Sequence, residues 1–192
     1  MSTNLRILVD MDGVIADWHH AYDRHVASYG ARSVGIPTFK QQVAWDLNEG
    51  RTDDEKTIIR EVMTLPGFYA ELSPIPGAKQ ALKALLKQGH DVRIVSAPYI
   101  SNPTCASDKM AWIAKHYGTH WAQRLILTTD KTFVRGDVLI DDKPSVTGTQ
   151  APEWAHIVFG DYAYNRHVRG HRLHSWDMGE VQQAIWKAVV SR

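Results

Sequence analysis

A short apolar run that ends on two acids constrains this chain more than any other stretch: RILVDMDGVIADW, residues 6–18. Ile7, Leu8 and Val9 read as a strand buried on both faces, the pattern of a parallel sheet covered on both sides. The run nevertheless finishes on Asp10, with a second carboxylate at Asp12. Two acids this close repel one another unless something neutralises or uses them. The stretch therefore predicts an α/β fold with a functional site at the carboxyl end of its first strand.

The rest of the chain supports that architecture. Further short runs rich in β-branched residues lie at 92–95, 125–127, 138–140 and 156–159. Helical stretches separate the strands. PIPGAKQALKALLKQGH has Pro76 near its start, a stripe of Ala78, Ala81, Leu82, Leu85 and Leu86, and Gly89 as a stop. SDKMAWIAKHYGTH has Ser107 as N-cap, Met110, Ile113, Ala114 and Tyr117 at helical spacing, and Gly118 at its end. This order predicts a doubly wound, mostly parallel, Rossmann-like sheet.

Residues 17–73 break the rhythm. They hold no convincing strand, one helix expected over 17–29, and another in TDDEKTIIREVMTL capped by Thr52 or Asp53. The segment is too long for a simple crossover and reads as a small helical cap inserted after the first strand. Residues 1–16 and 74–192 then form the core.

Composition narrows the function. The 192 residues are 44% hydrophobic and 22% charged, as in globular domains, with a net charge of +1. No overall field favours nucleic acid or an anionic membrane, and the short basic stretch RHVRGHRLH is mixed with apolar residues. No apolar run is long enough to span a bilayer, and the N-terminus lacks a secretory h-region. One cysteine, Cys105, excludes an internal disulfide framework and fits the cytoplasm; it reads as a small loop residue.

The carboxyl ends of the other strands carry complementary chemistry. The run 92–95 leads into Ser96, 125–127 leads through two threonines and Asp130 to Lys131, and 138–140 leads into Asp141 and Asp142. A hard divalent cation with oxygen ligands suits clustered carboxylates, and Mg²⁺ favours few carboxylates plus a phosphate. Lys131 as a charge and Ser96 as a donor suit phosphate oxygens.

DMDGV, the strand-end hydroxyl, the distant lysine and IDD resemble the haloacid dehalogenase superfamily of phosphotransferases. DMDGVIADW, IPGA, LTTDKT, VLIDDKP, PEWAHIVF and RLHSW are similar to the 5'(3')-deoxyribonucleotidase family along nearly the whole chain. The resemblance implies Asp10 as nucleophile and Asp12 as general acid and base. It implies Mg²⁺ bound by the carboxylates of Asp10 and Asp142 and the carbonyl of Asp12, with Asp141 supporting. Ser96, Ala97 and Lys131 would hold the phosphoryl group, and Gly13 would permit the tight turn. Trp18, Trp45 and Met63 would line the pocket for the base of a small nucleotide, dUMP or dTMP foremost. The family also admits a homodimer, though no residue marks an interface. Two departures are VSAP, where the family commonly has Thr-Ser-Pro, and Lys143, where some relatives have arginine.

Taken singly, these residues have blander uses: Asp10 and Asp12 as helix caps, Ser96 as a turn hydroxyl, Lys131 as solvated surface, Trp18, Trp45 and Met63 as packing. Trp154 and Trp176 read as core. The pairs His116/His120 and His167/His171 have metal-ligand spacing, but glycines interrupt both and no Glu or Cys completes a zinc motif. Two rivals remain from sequence alone. One is the same catalytic core acting on another small phosphomonoester or a nucleic-acid end. The other is a phospho-accepting receiver domain, which also uses acids, a hydroxyl and a lysine but has no place for the inserted segment.

Overall fold

A computed structural model describes residues 4–191; residues 1–3 and Arg192, at the two ends of the expected core, lie outside it. In chain order the elements are β1 (Arg6–Val9), β2 (Ala16–Asp17), α1 (Trp18–Ala27), α2 (Asp53–Thr64), β3 (Ser73–Pro74), α3 (Ala78–Lys87), β4 (Asp91–Ser96), α4 (Cys105–His116), α5 (Thr119–Ala122), β5 (Leu125–Leu127), β6 (Val138–Asp141), β7 (Ala155–Phe159), β8 (His171–Leu173) and α6 (Met178–Val190). The five expected strands are all present. The sixth, β8, was not anticipated because its HRL sequence buries only Leu173 at the sheet edge.

The six long-range strands pair in parallel in the order β5-β4-β1-β6-β7-β8. Ile7 and Val9 enter the main core with the apolar faces of α3, α4 and α6. Leu8, on the opposite face, joins a smaller cluster with Val95, Leu139 and Trp154. Both faces are thus dry, which is why the strands read as continuous apolar runs. The chain builds outward from β1 through β4 to β5, then crosses back to add β6, β7 and β8. That reversal opens a crevice at the carboxyl ends of β1 and β6. Register fixes its floor: Val9 lies level with Ile94 and Ile140, so Asp10, Ser96, Asp141 and Asp142 emerge along one edge.

The segment between β2 and β3 returns to its starting point through an antiparallel ribbon, Ala16 opposite Pro74 and Asp17 opposite Ser73. These strands, too short to show alternation, were not expected. Asp17 caps α1 by accepting from the His20 N–H (3.1 Å). Thr52 and Glu55 form the reciprocal capping box of α2. Tyr22, Val26, Ile58, Ile59 and Val62 of these helices belong to the same hydrophobic cluster as β1. The first helix ends at Ala27, two residues before its expected end.

Helix α4 differs more from expectation. It starts at Cys105 with Thr104 at the cap position, so Ser107 lies inside the first turn and Cys105 is a buried helical residue, not part of a loop. Its inward face is Cys105, Lys109, Trp112 and Ile113, while Met110 is 54% exposed. No helix among the described residues is long and apolar enough to cross a membrane.

Candidate active site

Asp10 follows the last residue of β1 and its N–H still donates to the Ile140 carbonyl (2.9 Å), so the ladder itself aims its side chain. The chain then turns sharply, with Ile15 and Ala16 N–H groups both bonding the Met11 carbonyl (2.9 Å each). Gly13 sits in this turn at φ 72°, and a Cβ there would stand 2.3 Å from Asp142 Oδ2. Only glycine meets both conditions.

Asp10, Asp141 and Asp142 each place a carboxylate oxygen within 4.8 Å of the others, all three buried. Lys131, also buried, approaches Asp10 Oδ1 at 2.7 Å and donates to Asp141 Oδ2 at 2.6 Å. Asp141 is therefore occupied by protein: its other oxygen accepts the Lys143 N–H (2.9 Å). Burial alone would raise its pKa, but Lys131 and that N–H outweigh burial and hold it below the ordinary value. Asp10 goes the other way. Its pKa is raised to about 7: burial raises it most, Lys131 pulls it down, and the charges of Asp141, Asp142 and Asp12 raise it further. Asp142 is raised chiefly by burial. One lysine against three buried carboxylates leaves negative charge uncompensated, which is the donor set and charge that a hard cation fits. Among the described residues this triad is the one group of three or more metal-ligating side chains; the histidine pairs join none.

Asp12 has a different partner. Lys109, with no exposed surface, donates to Asp12 Oδ2 (2.7 Å), Ser96 Oγ (2.8 Å) and the Ala97 carbonyl (2.7 Å). Its ammonium also lies 5.1 Å from the centre of the Tyr69 ring. Because an ammonium only donates, Ser96 Oγ must accept from it, and the hydroxyl hydrogen stays available for another acceptor. Asp12 Oδ1 is buried without a hydrogen-bond partner among the described residues.

A cavity of about 490 Å³ opens from these groups. Its lining combines the polar groups of Asp10, Asp12, Ser96, Lys131, Asp141 and Asp142 and the Ala97 segment with the apolar side chains of Trp18, Phe39, Trp45, Ile59, Met63 and Tyr99. Trp18 is 7% exposed and stacks on Tyr22, with centroids 4.8 Å apart. Trp45 is 46% exposed and meets the core edge-on through Tyr164 (5.3 Å), with the Lys143 ammonium 5.6 Å from its ring. Trp154 and Trp176 are buried away from the cavity, as expected.

A family profile described as "5' nucleotidase, deoxy (Pyrimidine), cytosolic type C protein" matches residues 4–191. The chain belongs to the 5'(3')-deoxyribonucleotidase family. It is 41% identical over 162 residues to a Bordetella bronchiseptica protein whose name places it provisionally among these enzymes, covering 83% of this chain and 85% of that one. It is 34% identical over 184 residues to the human cytosolic-type 5'(3')-deoxyribonucleotidase, covering 92% and 91%. Among solved structures, a haloacid dehalogenase-family hydrolase from Deinococcus radiodurans with bound phosphate and sodium superposes with a TM-score of 0.58. At 16% identity over 98% of this chain and 97% of that one, it establishes the shared fold.

In this member of the deoxyribonucleotidase family the strand-end acids, Ser96 and Lys131 were legible in the sequence, but three residues at the site, Lys109, Tyr164 and His19, were not. Lys109 lies on the inward face of α4, whose expected stripe has Ile113 and Tyr117 buried as anticipated but Met110 exposed, with Lys109 and Trp112 turned inward instead. Tyr164 and His19, which contact Asp142, carry no motif; the polar residues of DYAYN, just beyond β7 at the same sheet edge as Asp142, were the only available signal.

Proposed function

We propose that this chain is a Mg²⁺-dependent phosphatase that hydrolyses deoxyribonucleoside monophosphates, dUMP and dTMP foremost, through an aspartyl-phosphate. The observation that carries this reading is the continuity of one cavity from the Asp10–Asp142–Lys131 cluster to the aromatic wall of Trp18, Phe39 and Trp45. A flat base stacks on such a wall while its phosphate reaches the acids. The pyrimidine named in the family description supports the choice of base.

Asp10 attacks phosphorus, forming a carboxylate–phosphorus bond as the bond to the ribose oxygen breaks. Asp12 gives that leaving oxygen its proton, then takes one from the water that cleaves the aspartyl-phosphate. Lys109 fixes Asp12 through one oxygen and leaves Oδ1 for this proton traffic. Ser96, its lone pair taken by Lys109, donates to a phosphoryl oxygen, and Lys131 and the Ala97 segment complete the phosphate cradle. Asp10 and Asp142 carboxylates and the Asp12 carbonyl would hold Mg²⁺, which when bound supplies neutralising charge at the carboxylate cluster and phosphoryl group. Asp141 keeps Lys131 in place, and segment 17–73 selects the substrate as a specificity lobe. The buried free thiol of Cys105 supports a reducing, cytoplasmic setting.

The test is phosphate release from a panel of nucleoside and sugar monophosphates by purified protein with Mg²⁺. Turnover should favour pyrimidine deoxyribonucleotides and disappear with EDTA and in Asp10→Asn. An untouched nucleotide panel would overturn the proposal; a preferred sugar phosphate would overturn its substrate.

A further inference from the structure

Asp142 is held by more than its place at the end of β6. Its Oδ2 accepts the Tyr164 hydroxyl at 2.5 Å, and its backbone carbonyl accepts the Asn165 side-chain amide at 2.8 Å. Asn165 has no exposed surface and also donates to the Phe159 carbonyl (2.9 Å). The guanidinium of Arg172, on β8, bonds the carbonyls of Gly160, Asn165 and Val168, so loop 160–168 is pinned from below. The same loop reaches the nucleophile turn, where the Tyr162 hydroxyl donates to the Gly13 carbonyl (2.8 Å).

Donor counting fixes the direction of the chain at Asp142. Tyr164 has one hydroxyl proton and gives it to the carboxylate. Its oxygen lies 2.9 Å from His19 Nε2, so that nitrogen must carry the hydrogen and donate to the tyrosine. His19 itself stands 3.6 Å from Asp142 Oδ2, beyond hydrogen-bond length, so its hydrogen bond goes to Tyr164 while its ring stays within ion-pair range of the carboxylate. The His19 ring is wedged between Phe39 and Tyr162, with centroids 4.1 and 4.2 Å away. Asp142 Oδ2 is thus committed to protein, while Oδ1 has no hydrogen-bond partner among the described residues.

We propose that Tyr164, oriented by His19, is a positioning residue that locks the Asp142 carboxylate with one oxygen turned to the metal, and so sets the Mg²⁺ affinity of the site. The proposal rests on the Mg²⁺ reading above and extends it to residues that never touch the ion. Hydrogen-bond partners of this kind typically account for 10- to 100-fold in metal affinity.

The experiment is calorimetric titration of MgCl₂ into the metal-free protein without substrate, for wild type, Tyr164→Phe, His19→Leu and His19→Gln. Tyr164→Phe keeps the ring that packs on Trp45 and Tyr162 and removes only the hydroxyl. It should raise the Mg²⁺ dissociation constant at least about tenfold, with far-ultraviolet circular dichroism unchanged. His19→Leu should weaken binding less, and His19→Gln, which restores a donor, should recover part of that loss. If wild type binds Mg²⁺ and Tyr164→Phe and His19→Leu bind within twofold of it, the positioning role is overturned while the metal reading stands. If wild type itself takes up no Mg²⁺, the metal reading fails and this proposal falls with it.

Discussion

Burying a lysine strips its ammonium of water, a loss tolerable only when every proton finds an oxygen. Lys109 meets that condition with Asp12, Ser96 and Ala97. Lys109→Met would leave Asp12 free to rotate and Ser96 free to turn its hydrogen away from substrate. A fall in kcat of about 10²-fold or more is expected, together with roughly 3 kcal/mol of lost stability. The stability figure sits at the low end for a broken buried pair because the Asp12 side chain retains 25% of its surface. Steady-state kinetics and a thermal melt of the same variant check both. Gly13→Ala should cost about 10²-fold in kcat/KM, since its Cβ would displace the Asp142 carboxylate and strain a left-handed turn. Partial rescue by high Mg²⁺ would identify the displaced ligand as the cause. Asp10, Asp12 and Asp142 were legible because acids at buried strand ends violate the ordinary pattern. Lys109 was not, because periodicity assigns a lysine to solvent, and only a carboxylate 97 residues away reverses that assignment.

Elements show the same division between local and distant causes. The cap of α2 is written in TDDE: Thr52 accepts from the Glu55 N–H at 3.3 Å, and Glu55 accepts from the Thr52 N–H at 2.9 Å. Thr52→Ala should lower stability by about 1 kcal/mol and the melting temperature by about 2–4 °C, leaving kcat within twofold. A large kinetic loss would mean that α2 frays enough to move Ile59 and Met63, which line the cavity. The start of α4 was misplaced for a related reason. Ser107 is a plausible local cap, but Thr104 is anchored instead by contacts outside the helix: its hydroxyl and the Asp108 carboxylate both receive the Gly67 N–H (3.1 Å each). Ribbon β2–β3 and edge strand β8 have too few residues to carry a period, so pairing partners far along the chain create them.

At the scale of the molecule, folding concentrates charge that the unfolded chain keeps apart. In the absence of a cation, the Asp10 pKa rises from 3.8 to about 7 because of burial and then neighbouring carboxylates, against the pull of Lys131. A carboxyl that binds its proton more tightly when folded contributes stability that is fully present below pH 3.8 and is lost as pH rises through about 7. If Mg²⁺ binds at the cluster as proposed, it would neutralise these carboxylates, so the rise in melting temperature on adding Mg²⁺ should grow between about pH 4 and 7 and level off above. Fluorimetric melts with Mg²⁺ or EDTA across that range test it; a pH-independent shift would place the ion away from Asp10. The five apolar strand runs, the acids at their ends, the hydroxyl, the lysine and the family were all determined by the sequence itself, because each depends on residue type and near neighbours along the chain. Which carboxylates share a cleft, why Asp141 is occupied while Asp142 keeps an oxygen free, and how Lys109, Tyr164 and His19 enter the site were decided only by tertiary structure. Those facts depend on distances between groups far apart in the chain, and at a buried site it is distance and desolvation that set what a charge can do.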